Sequence, residues 1–140
     1  MLLHVGRPDH WQQAEILRRH EHAEARREQD PVCDLATIRD AQHDVLQVHV
    51  SPAIREYIVR IVLATRDHPA VSLPASPRAS VSLLRSAQAM ALYQGRRHVL
   101  PDDVKAVAGA VLGHRLSVNV GAGEDVVTEL LQRVSVPLEA

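Results

Sequence analysis

Apolar positions recur at helical spacing along most of the chain and rarely alternate. The clearest run is Ile54, Tyr57, Ile58, Ile61 and Val62, continued by the methyl group of Thr65. Residues three and four apart share a helix face, so this run predicts a helix with one buried stripe. Ser51-Pro52 marks its start, because serine caps free N–H groups and proline suits the first helical position. The helix is expected to end near Asp67, before Pro69. Val81, Leu84, Ala87 and Ala91, widened by Leu83 and Met90, predict a helix from about Pro77 to Gln94, with Gly95 as its C′ glycine. Val104, Val107, Ala108, Val111 and Leu112 predict another from Pro101, stopped by Gly113. Val126, Val127, Leu130 and Leu131 predict a last helix, Gly123 to Arg133.

Two helices are expected ahead of these. Trp11, Ala14, Ile16 and Leu17 supply the apolar contacts of one from about Pro8 to His20. Leu35, Ile38, Val45 and Leu46 do so for one opened by Asp34 as N-cap. Between them, Glu21 to Asp30 is mostly charged or polar and either extends the first helix as a solvated arm or frays into a loop; Asp30-Pro31 interrupts any helix there. Val48-His49-Val50 reads as a short extended link, and His68 to Ala75 as a loop. Leu116 to Val120 fits a short strand, with His98-Val99-Leu100 as its partner. The tail Pro137 to Ala140 should be loose. The fold class is all-α: a compact bundle of five to six short helices with at most a minor β-hairpin.

Composition narrows this picture. A chain of 140 residues fits one domain, and buries roughly 68% of its unfolded surface. Apolar residues reach 46% while aromatics are 2%, with no Phe, so the core must be Leu, Val, Ile and Ala. A net charge of −1 supplies no global basic field for DNA or membranes. Cys33 is the single cysteine, which excludes an internal disulfide and fits a reducing compartment. No stretch approaches the ~20 apolar residues of a membrane span, and Met1 to Val5 is too short for a signal peptide. The expected location is cytoplasmic. Leu2 to Val5 reads like a strand end without its partners, as in a piece of a longer protein.

Familiar chemistry is missing. The chain has no GxxxxGK[ST] phosphate loop, no HExxH and no GxSxG elbow. Its nine histidines are scattered, so no metal site is expected. Asp102-Asp103 and Glu124-Asp125 open helices, where they complement the dipole. Leu100 stands at a cap position but cannot accept an N–H bond, a defect of about 1 kcal/mol. Arg78, Arg85, Arg96 and Arg97 could form a basic edge, the basis for an alternative reading as a free-standing helical adaptor or DNA-binding module.

One residue sits where its charge is unwelcome. Ser76 is a good N-cap and Pro77 a good first residue, which puts Arg78 in the first turn, beside the positive end of the helix dipole. A cation there costs roughly 0.3–1 kcal/mol. A guanidinium beside free helix N–H groups suits a phosphate. The other readings are a solvated arginine, or one paired with a carboxylate such as Asp67.

Ser76-Pro77-Arg78-Ala79 is flanked in order by Thr65-Arg66-Asp67-His68-Pro69, Leu100-Pro101-Asp102-Asp103-Val104-Lys105 and Gly113-His114-Arg115-Leu116. In order and spacing these runs resemble the C-terminal lid domain of MoxR-type AAA+ ATPases. Val134-Ser135-Val136-Pro137 is similar to the family's chain end, and Val5-Gly6-Arg7-Pro8-Asp9 to the join from the last core strand. The resemblance implies that residues 1–7 end the core-to-lid connection and 8–140 form the lid. It implies that Arg78 is the sensor 2 arginine, catalytic and nucleotide-binding together with Ser76, acting on ATP and Mg2+ held by a preceding core domain. It further implies a hexameric, chaperone-like ring, von Willebrand A-domain partners, and no ATP hydrolysis by the isolated chain, which should bind nucleotide feebly at most. Three positions depart from the family: Pro74 stands for a usual glycine, Leu100 for the capping threonine, and Arg7 for a tyrosine, which speaks against adenine stacking at the join.

Overall fold

In the computed structural model, the described residues are 1–21, 30–119 and 121–137. Among them are six α-helices: α1 (His10–Glu21), α2 (Leu35–Gln47), α3 (Pro52–Ala64), α4 (Pro77–Tyr93), α5 (Pro101–Leu112) and α6 (Gly123–Arg133). A 3-10 turn, Gly113–Arg115, follows α5, and strands β1 (Val71–Leu73) and β2 (Ser117–Val118) form a two-stranded antiparallel sheet. The all-α class with a minor β element holds. The solvated arm or loop read at residues 22–29, the strand end at Val120 and the tail at 138–140 lie outside the described residues.

The core is built from α3 to α6. Ser51 Oγ accepts from Ile54 N at 3.2 Å and Pro52 opens α3, as the cap signal predicts. Ile54, Tyr57, Ile58, Ile61 and Val62 are all buried. The helix closes at Thr65, earlier than Asp67. α4 packs on both α3 and α5. Its buried face is Ala79, Leu83, Ala87, Gln88 and Ala91, whereas Val81 is exposed. Three alanines on that face let α5 come close, and Gln88 is tolerated because its amide donates to Val48 O at 2.8 Å. Gly95 has φ +74° and ends α4 as predicted, with Arg96 N donating to Ala91 O and Gly95 N to Leu92 O.

The glycine after α5 behaves differently. Gly113 stays helical at φ −52°, so it does not stop the chain by a left-handed turn. It matters for contact instead. A Cβ on Gly123 would stand 2.1 Å from Gly113 O, so the two glycines let α6 start flush against the end of α5. α6 has its predicted bounds and buries Val126, Val127 and Leu130.

The sheet departs from expectation. β1 lies in the stretch read as a loop, and pairs Val71 with Val118 and Leu73 with Ser117. His98 to Leu100 pairs elsewhere: His49 N donates to Arg97 O at 2.9 Å and Val99 N to His49 O at 3.0 Å. The reason is distance. α5 separates residue 100 from residue 116, and a 12-residue helix is about 18 Å long.

The N-terminal region corrects a second expectation. α1 and α2 form, and Asp34 caps α2 by accepting from Thr37 N at 2.7 Å. Yet neither helix buries a residue, and Trp11 is 80% exposed. Among the described residues, the apolar side chains of Trp11, Ile16, Leu17, Leu35, Ile38 and Leu46 do not join the core, which closes on α3 to α6 without them.

Candidate functional site

The site is the start of α4, and the chain reaches it through a tied connection. Thr65 is fully buried, and its Oγ1 accepts from Ala75 N at 3.2 Å. Ala75 is buried and Ser76 adopts the extended N-cap backbone, φ −79° and ψ 165°. The expected side-chain cap is absent: Ser76 Oγ makes no cap bond. Its carbonyl takes the Ala79 N–H instead, at 2.8 Å.

Arg78 stands in this first turn with its side chain exposed. Its neighbours Pro77 and Ala79 are an exposed proline and a fully buried alanine, so the backbone is anchored while the guanidinium is outside the core. Among the described residues, neither its guanidinium nor its N–H has a hydrogen-bond or ion-pair partner, and no bond to Asp67 forms. Guanidinium, free N–H and the Ser76 hydroxyl thus belong to one helix terminus, where the dipole is positive. The arrangement can bind an oxyanion.

The other arginines of the predicted basic edge are occupied. Arg85 Nη1 donates to Gln88 Oε1 at 2.9 Å. Arg97 lies 3.7 Å from Asp44. Arg96 grips Asp103 through both terminal nitrogens, at 2.7 and 2.5 Å. Asp103, expected to complement the helix dipole, is 1% exposed and also serves as a buried anchor. Its carboxylate also accepts from Leu100 N at 2.8 Å. The start of α5 is therefore supported from inside, which offsets the missing cap at Leu100. Burial alone would raise the Asp103 pKa, but Arg96 and the Leu100 N–H outweigh it and hold the carboxyl below its usual range. The sequence contains Arg96 and Asp103 seven residues apart, but nothing in that spacing reveals a bidentate pair across a turn.

No group of His, Cys, Asp and Glu suited to a metal occurs among the described residues, where Cys33 is exposed. No helix among them is long and apolar enough to cross a membrane. The hollow along α1, lined by Pro8, Trp11, Gln12, Glu15, Ile16 and Arg19, includes no residue of the α4 terminus.

Comparison with known proteins gives a consistent result. The family described as the AAA lid domain matches residues 63–133, from the end of α3 through α6. The uncharacterized protein YeaC of Bacillus subtilis is 34% identical over 143 residues, covering 98% of this chain and 45% of its own. The chaperone MoxR1 of Mycobacterium tuberculosis is 37% identical over 103 residues, covering 63% of this chain and 27% of its own. A crystal structure of a protein from Cytophaga hutchinsonii, provisionally named an ATPase, superposes with a TM-score of 0.79 at 24% identity, over 96% of this chain and 46% of that one. The chain spans less than half the length of these relatives.

Proposed function

The chain belongs to the AAA lid domain family and is a lid of the MoxR type; from that premise we propose that Arg78 is its sensor 2 residue, gripping the γ-phosphate of ATP held by a preceding core domain. The observation that carries this is the partnerless guanidinium and N–H at the start of α4. In this reading residues 1–7 end the core-to-lid connection and 8–140 form the lid. Closing the lid brings Arg78 to the phosphate, where two parallel N–H bonds orient the transferring group and offset the charge that develops on its oxygens. Mg2+ and the attacking water belong to the core, since the lid terminus holds neither carboxylate nor base. One guanidinium and a helix end without a phosphate loop bind a free triphosphate feebly, so the isolated chain is inactive.

The exposed helices α1 and α2, neither of which buries a residue, fit the same reading. Trp11, Leu17 and Leu35 belong to a surface of the kind a neighbouring domain covers. Neighbouring subunits of a hexameric ring, and von Willebrand A-domain proteins in chaperone-like work in the cytoplasm, complete the proposed setting.

The test is Arg78→Ala in the longer ATPase that carries this lid. We expect kcat for ATP hydrolysis to fall by about 100-fold or more, with Arg78→Lys intermediate and the melting temperature of the lid unchanged. An unaltered kcat would overturn the assignment.

A further inference from the structure

The run Thr65-Arg66-Asp67-His68-Pro69 has no part in the reading above, yet two of its side chains are buried and bonded. Thr65 Oγ1 donates to Val62 O at 2.7 Å while accepting from Ala75 N at 3.2 Å. That pair closes the connection between α3 and α4 at its neck, joining residues ten apart in sequence. The His68 side chain, 4% exposed, lies between two partners. Its Nδ1 accepts from Ala70 N at 3.3 Å, and its Nε2 faces Glu129 Oε2, on α6, at 3.2 Å. A backbone N–H can only donate, and a carboxylate can only accept. In this arrangement Nδ1 is placed as the acceptor and Nε2 as the donor. The rest of the connection is stitched to β2 and to itself: Asn119 N donates to Ala70 O at 2.9 Å, Ser72 Oγ to Ser117 O at 3.0 Å, and Val71 N to His68 O at 3.0 Å.

We propose that Thr65 and His68 are positioning residues for Arg78, fixing where α4 begins by tying its approach to α3 and to α6. Ala75, held by Thr65, stands three residues before Arg78, and Ala79, buried in the core, stands one after. The turn between these anchors has little freedom, so Arg78 can move only through its own side-chain rotamers. The far end of the tie is equally fixed, because α6 starts flush on Gly113. Glu129, 61 residues from His68 in sequence, thus helps to set the place of the arginine. What the positioning serves rests on the sensor 2 reading; the tie itself does not.

The experiment is nitrogen-15 NMR on the intact chain without nucleotide. The imidazole of His68 should show a protonated Nε2 and an unprotonated Nδ1; a charged or Nδ1–H ring overturns the tie. Two substitutions divide its parts. His68→Asn keeps an acceptor near the Nδ1 position but cannot reach Glu129, whereas His68→Gln keeps the reach. We expect His68→Asn to shift the amides of Ala75, Ser76, Arg78 and Ala79 and the Arg78 Nε signal, and His68→Gln to restore them. Thr65→Val, which removes both hydroxyl bonds at constant shape, should shift the same signals. The Arg96 Nε signal, clamped by Asp103, should stay put throughout. Variants that melt earlier while residues 75–79 and Arg78 keep their wild-type signals would show a merely structural role and overturn the proposal. In the longer ATPase, His68→Asn should lower kcat more than it changes KM, and His68→Gln should recover it. Shifted signals together with an Arg78→Ala enzyme of full activity would sustain the tie and remove the sensor 2 reading instead.

Discussion

α1 and α3 are helices of similar length and opposite fate. α1 buries none of its 12 residues, and Trp11 and Leu17 face solvent. α3 buries five of 13, and its stripe runs on into Thr65. Both carry apolar residues at helical spacing, so periodicity does not distinguish them. The difference lies in what faces them. The α3 stripe meets α4, α5 and α6, whereas the α1 stripe meets no core within the described residues. Charges follow the same division. On α1, hydrogen bonds from Arg18 and then Arg19 hold the Glu15 carboxyl down to about 2, in an exposed cluster of a kind that adds little to stability. Between α4 and α5, one ion pair is sunk into the protein and supports a helix start. A helical pattern thus shows that a face needs covering, without showing whether the cover lies in the same chain.

The largest test of this contrast is Ile61→Ala. Removing a fully buried side chain should cost about 2–5 kcal/mol, read as a fall in melting temperature. Asp103→Ala comes next, since it takes from Arg96 its carboxylate, leaving only Gln94 and the His98 carbonyl, and from the Leu100 N–H its acceptor; a loss on the order of 1–3 kcal/mol is expected in urea unfolding. This site also has a pH signature. The Asp103 pKa is lowered on folding from 3.8, so its contribution is present above that value and lost as pH falls through the folded one. Wild type should therefore lose stability on acidification below about pH 4, and Asp103→Ala should show a shallower loss over the same range. Gly123→Ala should cost about 1–3 kcal/mol, because the new methyl group meets the Gly113 carbonyl and no rotamer relieves it. The smallest effect belongs to α1: Leu17→Ser, at a residue 68% exposed, should change stability by less than about 0.5 kcal/mol. A large loss there would show that α1 packs in solution and would end the contrast.

Much of the bundle was legible from residues alone. Caps, prolines and the C′ glycine are local signals, so Asp34, Ser51-Pro52 and Gly95 act as read. Ser76 marks the helix boundary as its sequence predicts, but its hydroxyl makes no cap bond; its carbonyl takes the Ala79 N–H. The strand partner is not legible because pairing joins distant positions: β1 is three residues long, and its single apolar-polar-apolar alternation is too short to mark a strand. Within the candidate site, Arg78 was visible because a cation after Ser-Pro conflicts with the helix dipole. Thr65, His68 and Glu129 were not, since their bonds join residues 10 and 61 positions apart.

By itself the sequence determined where helices begin and end and which of their faces are apolar, because those depend on interactions within a turn or two. Only the tertiary structure decided which apolar faces are covered, which carboxylate is buried against an arginine, and that Arg78 has no partner among the described residues. Each of these depends on atoms brought together from distant positions, where a difference of one or two ångströms settles whether a bond forms.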